Sequence, residues 1–282
     1  MDFRKIEWIF FIAFLGINMF LFSIYWSSRH EQSLVTNSNQ REDISQRLQN
    51  DDIHYKGTIS DQHFEGYYLS AEQDELYSRL DQEQNAAIRN SSYVSDKVLT
   101  SKPLETREFN LKEVKKSFNE LMRDPEFIMS GDQYMYVSSI SKKDDEGSKI
   151  VGAQSYEGIP FIDETSRVTL NVEAASDDTT QVTDYTQTLL REIEPLREKM
   201  SLYSEKEILN TLYINNNIPP GSTIQEIYLG YFRTLEVQEK NVYVPVWFVR
   251  IENADKVIQI EKVNAISNQV ISNNSVSKVE NP

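Results

Sequence analysis

Hydrophobic positions along the chain fall into one long apolar run and many short ones. Trp8 to Trp26 carry no charged side chain. As a helix these 19 residues rise about 28 Å, close to the hydrocarbon thickness of a bilayer. Trp8 at one end and Tyr25 and Trp26 at the other suit the two membrane interfaces, and Arg4 and Lys5 before the run place the N-terminus in the cytoplasm. A cleaved signal peptide is the rival reading. Cleavage wants small residues at −1 and −3, but Ser27 follows Tyr25 by two positions and Ser28 follows Trp26. The expectation is an uncleaved signal anchor at 8–26, with 1–7 cytoplasmic and the bulk of the chain extracytoplasmic in a cell-membrane protein.

Beyond it, residues 27–50 are polar without Pro or Gly and read as a juxtamembrane linker, partly helical near its end. Short β-branched and aromatic runs then predict strands at 53–59, 64–69, 94–99, 133–140, 149–156, 165–174 and 182–192. Residues 72–90 are weakly helical. Asn110-Leu111-Lys112-Glu113 has the spacing of a capping box, and Leu111, Val114, Phe118, Leu121 and Met122 follow at helical intervals. A similar order recurs. Ser204-Glu205-Lys206-Glu207 is a second capping box, followed by Ile208, Leu209, Leu212 and Tyr213, and then by strand-like runs at 224–235, 242–251 and 256–264, with 266–271 as a short fourth. Pro245 lacks a ladder donor, which predicts an edge strand or a bulge. The fold class is therefore α+β: a transmembrane helix followed by two related helix-on-antiparallel-sheet units, at 51–195 and 196–271, with a disordered polar tail at 272–282.

Charge narrows the function. The net charge is −15, and residues 1–26 sum to zero, so the whole excess lies in the extracytoplasmic part. Such a field repels phosphate backbones and argues against nucleic acid. The aromatic share of 11% supplies enough apolar surface for a folded core. With no cysteine, disulfides, Cys-type zinc sites and thiol chemistry are excluded.

Candidate chemistry is sparse. His54 and His63 lie near Asp51, Asp52, Asp61 and Glu65, and His30 flanks the membrane run, but no tight His spacing fixes two ligands on one element. Asp144-Asp145-Glu146-Gly147 lacks the alternating oxygens of a calcium loop and reads as a hairpin tip. No G-x-S-x-G, P-loop or G-x-G-x-x-G occurs. No metal, cofactor, small-molecule substrate or catalytic residue is assigned, and the chain reads as not an enzyme. The aromatic set Tyr228, Tyr231, Phe232, Tyr243, Trp247 and Phe248 reads as core and sheet packing, with a protein-binding patch as the alternative.

Several motifs, in order, carry a resemblance: MDFRKIEWIFFIAFLGINMFL at the start, YEGIPFID at 156–163, IPPGSTIQEIYLGY at 218–231, VPVWFVRIE at 244–252 and KVNAISNQVI at 262–271. Together they resemble the YycI (WalI) family of Gram-positive bacteria. One departure is Asn268, where the family pattern suggests Gly; Asn tolerates the left-handed backbone such a turn uses. The resemblance implies an accessory membrane protein that works with its sister protein YycH on the sensor histidine kinase WalK (YycG), which with its response regulator controls cell-wall metabolism. It also implies an α+β ectodomain and no catalytic residues.

In the membrane run, Ala13, Gly16, Phe20 and Ser23 share one helical stripe and Asn18 lies on another face. Lipid tails are as apolar as Leu, so helices associate in a bilayer through close packing and hydrogen bonds. The stripe is therefore a candidate transmembrane helix contact, and an inert anchor is its alternative. The other functional readings are an extracytoplasmic binding module for a wall polymer or small ligand, and a wall hydrolase without a recognisable motif.

Overall fold

The structure, a computed structural model, describes residues 8, 11, 14–20, 22, 43–144, 147–176, 179–237, 240–271 and 277–279. The chain divides into two units, Met1–Asp51 and Asp52–Pro282.

In the first unit, residues 14–20 are helical. The expected span at 8–26 and the linker at 27–50 lie partly outside the described residues. Among those described, no helix is long and apolar enough to cross a membrane. Ile44–Asn50 forms a helix at the end of the linker. Asp43 caps it by accepting a bond from Ser45 N at 3.3 Å, and Ile44 and Leu48, one turn apart, are buried.

The second unit is mixed α+β, rich in sheet, with few helices. In chain order its strands are β1 (His54–Tyr55), β2 (Glu65–Gly66), β3 (Leu69–Gln73), β4 (Ser92–Ser95), β5 (Val98–Ser101), β6 (Arg107–Glu108), β7 (Met135–Tyr136), β8 (Lys142–Asp144), β9 (Gly147–Ala153), β10 (Ser155–Tyr156), β11 (Ile159–Pro160), β12 (Arg167–Ser176), β13 (Thr179–Gln187), β14 (Leu190–Pro195), β15 (Met200–Ser201), β16 (Thr223–Val237), β17 (Lys240–Glu252), β18 (Ile258–Asn264) and β19 (Ser277–Val279). Helices Tyr77–Gln82, Ala86–Ser91, Val114–Met122 and Glu205–Ile214 complete it.

One sheet runs β4-β5-β13-β12-β9-β7, with β6 beside β13 and β8 beside β9. Its neighbours pair antiparallel. The β4–β5 turn places Asp96 and Lys97 at φ 49° and 65°, the mirror-image turn that matches strand twist. The Val114–Met122 helix lies on this sheet, burying Phe118, Leu121 and Met122 with Ile150, Val168, Leu170 and Val172. Gly152 makes that approach feasible, since a Cβ there would stand 2.2 Å from Phe118 Cζ.

The other sheet runs β1-β16-β17-β3-β14, with β18 beside β17 and β19 beside β16. It draws β3 and β14 from before residue 196 and β16 to β18 from after it, so sheet membership does not follow chain order. β19 pairs parallel with Leu235–Val237 from within the segment read as a tail, whose remaining residues past 271 lie outside those described. β17 is buried along most of its length, as expected of a central strand covered on both faces.

Three expectations are corrected. The helix near 111–123 begins at Val114 with no side-chain cap; Asn110 accepts instead from Lys112 N at 2.8 Å, a local turn outside the helix. The run 133–140 forms only the two-residue β7 between two 3-10 turns, Gly131–Gln133 and Ser138–Ile140. Pro245 lies in central β17, not at an edge or bulge. β16 pairs along one side of β17, while on the other side β3 pairs with Lys240–Tyr243 and β18 with Val246–Glu252. The Pro245 carbonyl accepts from Ala265 N on that side at 2.9 Å. The missing N–H faces the same way, into the gap where one neighbour gives way to the next, and no ladder bond is lost.

Two other expectations are met. Ser204 and Glu207 form the capping box of Glu205–Ile214, with Ser204 N donating to Glu207 Oε2 at 2.8 Å. Asn268 takes φ 55° in the turn after β18.

Candidate interaction sites

The β16–β17–β18 face builds a groove. Side chains of alternate residues share a face, so Tyr228, Gly230 and Phe232 of β16 point the same way. Across the sheet, Tyr228 stands opposite Phe248 of β17, and Phe248 opposite Lys262 of β18. The Tyr228 and Phe248 rings stack at 5.1 Å, and Phe232 meets Phe248 edge-on at 6.0 Å. These three rings form an aromatic floor.

The wall comes from the segment after β11. Phe161 bridges to Tyr231, and Ile162 N donates to the Tyr231 carbonyl at 2.9 Å. Gly230 lets this segment close on the sheet, since a Cβ there would meet Ile162 Cγ1 at 2.2 Å. Asp163 fixes the next step by accepting from Arg233 N at 3.1 Å and Thr165 N at 2.8 Å, and from the Thr165 hydroxyl. Burial pushes the Asp163 carboxyl above the usual carboxylate range, against the pull of these bonds and of Arg233.

Together these elements form an open groove of about 700 Å³, lined also by Ile140, Glu164, Arg167, Ile258 and Ile260. That volume suits a small ligand or an anchoring side chain. Three cations reach the groove. Arg167 donates to the Ile162 carbonyl at 2.8 Å. Arg233 donates to Asn241 at 3.3 Å and lies 3.6 Å from Glu236. Lys262 places its ammonium 4.6 Å from the Phe232 centroid, and burial lowers its pKa from the usual lysine value.

The aromatic set thus divides by position. Tyr231, Tyr243, Trp247 and Phe248 are buried, while Tyr228 and Phe232 are half-buried and open on the groove. Sequence reasoning missed the cations, because Arg167, Arg233 and Lys262 come from three strands and meet only through topology.

Of the N-terminal contact residues, Ala13 and Ser23 lie outside the described residues. Among the described residues, nothing beyond the helix's own backbone and the chain neighbours comes within 4 Å of the position a Cβ on Gly16 would occupy. Asn18 Nδ2 donates to the Phe14 carbonyl one turn back at 2.8 Å, and Phe20 is exposed. Elsewhere, His54 pairs with Asp52 at 3.2 Å, and His63 Nδ1 lies 2.9 Å from the Leu202 carbonyl. Among the described residues, no group of three His, Cys, Asp or Glu side chains could hold a metal ion.

No curated protein matches the chain. An uncharacterized protein from Eubacterium rectale, solved by crystallography, is similar at 10% identity and a TM-score of 0.49, over 79% of this chain and 89% of that one. The YycI protein family model matches residues 31–266, most of both sheets included, and the chain belongs to that family.

Proposed function

We propose that this chain is a membrane-anchored accessory protein that, together with YycH, regulates a sensor histidine kinase of the WalK (YycG) type and through it cell-wall metabolism. The observation that carries the reading is the family match over residues 31–266, since that family is the accessory regulator of this two-component system. The N-terminal run supports membrane anchoring. Trp8, Phe11, Phe14, Leu15, Ile17, Met19, Phe20 and Phe22 are all exposed, and a helix apolar all round needs lipid or protein around it. The anchor spans 8–26, with the second unit outside the cytoplasm, and contact with the partners runs through both the membrane helix and the ectodomain. Crosslinking in native membranes followed by purification of the full-length chain tests this. Co-recovery of the kinase and YycH is the expected result, and their absence from the crosslinked material overturns it.

A second reading, an extracytoplasmic binding module for a small ligand, is favoured by the groove over β16 to β18. It is compatible with the first, because a regulator of a sensor kinase needs an input.

A further inference from the structure

We infer that the groove over β16, β17 and β18 binds an amphipathic anion, an apolar ring or chain carrying a single carboxylate or phosphate head. The apolar part lies on Tyr228, Phe232 and Phe248, and the head meets Lys262, with Arg167 and Arg233 beyond it. This deepens the ligand-binding reading and is independent of the kinase assignment.

The argument rests on charge and shape together. The chain carries −15, yet three cations line this one groove. Two of them are committed to the protein. Arg167 holds the Ile162 carbonyl, and Arg233 holds Asn241 beside Glu236. Lys262 differs, since it forms no ion pair among the described residues, and its ammonium lies over the Phe232 ring. Burial outweighs the pull of the neighbouring Glu261 and lowers the Lys262 pKa, so the charge is only partly compensated where it sits. A ligand carboxylate or phosphate supplies the missing charge where water is already partly excluded.

The carboxylates of the lining do not fill that role. Asp163 is engaged by Arg233 N and by Thr165, and Glu164 is exposed at the rim. The floor then sets the other half of the ligand. Stacked and edge-on rings offer a flat apolar surface, with Ile162, Ile258 and Ile260 around it. A simple inorganic anion would leave that surface wet, and a neutral apolar molecule would leave Lys262 unpaired.

Calorimetric titration of the full chain in phosphatidylcholine nanodiscs tests this with four small 2-substituted naphthalenes: 2-naphthoate, 2-naphthyl phosphate, neutral 2-naphthamide and cationic 2-naphthylmethylamine. The anions should bind about tenfold more tightly than the amide, the worth of one charge-assisted bond, and the amine should bind more weakly still. Whichever anion is the tighter identifies a carboxylate or a phosphate source. Lys262→Gln should erase the anion preference and leave amide binding unchanged, and Lys262→Arg should retain it, with melting temperatures confirming that both variants fold. Equal binding of amide and anions overturns the charge assignment while leaving a ligand groove. No binding by any probe overturns the groove reading altogether. An anion preference that survives Lys262→Gln overturns the role given to Lys262.

Discussion

The side-chain amide of Gln154 closes both backbone hydrogen bonds of Leu190. Its Oε1 accepts from Leu190 N at 2.6 Å, and its Nε2 donates to the Leu190 carbonyl at 3.0 Å. One side chain thus imitates a strand neighbour where β14 leaves β13 for the other sheet. The remaining capacity of the amide is filled too, by Ser166 Oγ at 2.8 Å and Gln133 Oε1 at 2.9 Å. Gln154 is buried, so removing the amide strands two backbone groups away from water. Gln154→Leu should lose about 3 kcal/mol in urea unfolding, since each orphaned buried group costs about 1–3 kcal/mol. A loss of a few tenths would show that water replaces the amide.

Packing on the second face is equally specific. A Cβ on Gly152 would fall 2.2 Å from Phe118 Cζ, and Phe118 is fully buried under the Val114–Met122 helix. Gly152→Ala should therefore destabilise by about 1–3 kcal/mol through overpacking. Phe118→Leu in the same chain should recover part of that loss. Strictly additive losses in the double-mutant cycle would show that the two sites do not touch.

Local chemistry was the legible part of this sequence. Ser204 and Glu207 announce their helix because both halves of the capping box sit within one turn. Asn268 could be trusted in its turn because its own short side chain tolerates φ 55°. The same local spacing misled at Asn110, whose side-chain Oδ1 is taken by Lys112 N before the helix begins. Pro245 misled for a different reason. Whether a missing N–H matters depends on the neighbouring strand, and β17 changes neighbours at that residue. The groove was least legible, because the Tyr228–Phe248–Lys262 row is a register across three strands and no spacing within any one of them encodes it.

The capping box gives a direct measurement. Ser204 Oγ accepts from Glu207 N, and Glu207 Oε2 accepts from Ser204 N and Ser204 Oγ. Ser204 is buried, so water does not readily replace these bonds. Ser204→Ala should cost about 1 kcal/mol or somewhat more. An unchanged denaturation midpoint would show that the helix is held by packing alone.

Alkaline pH should unfold the second unit through its buried tyrosines. Burial pushes Tyr185 and Tyr231 each up to about 12, against about 10 in an unfolded chain. Between those values the unfolded state releases protons that the folded state retains. Stability is therefore fully present below about pH 10 and falls as pH rises toward 12, by about 3 kcal/mol per tyrosine. Tyr185 also donates to the Phe127 carbonyl at 3.0 Å. Tyr185→Phe should be less stable at pH 7 yet show a shallower alkaline decline. A decline as steep as that of the unsubstituted chain would mean that other groups drive it.

The proposed membrane anchor at 8–26 should bind another membrane helix rather than serve only as an anchor. Gly16 presents a bare backbone, and among the described residues nothing beyond its own helix and chain neighbours comes within 4 Å of the position its Cβ would occupy. Small residues on the Ala13, Gly16, Phe20, Ser23 stripe let a second backbone come near, which is what drives association where burial of apolar surface gives little. Asn18 Nδ2 donates to the Phe14 carbonyl one turn back. That bond relieves much of the need for an outside partner. Gly16→Ile should therefore weaken co-purification with the kinase and YycH while insertion and abundance stay unchanged. Asn18→Leu should weaken it less, or touch one partner alone. Normal assembly and signalling with a scrambled poly-Leu helix would assign all of the binding to the second unit. In that case the β16–β18 face, with its aromatic floor and Lys262, becomes the first surface to mutate.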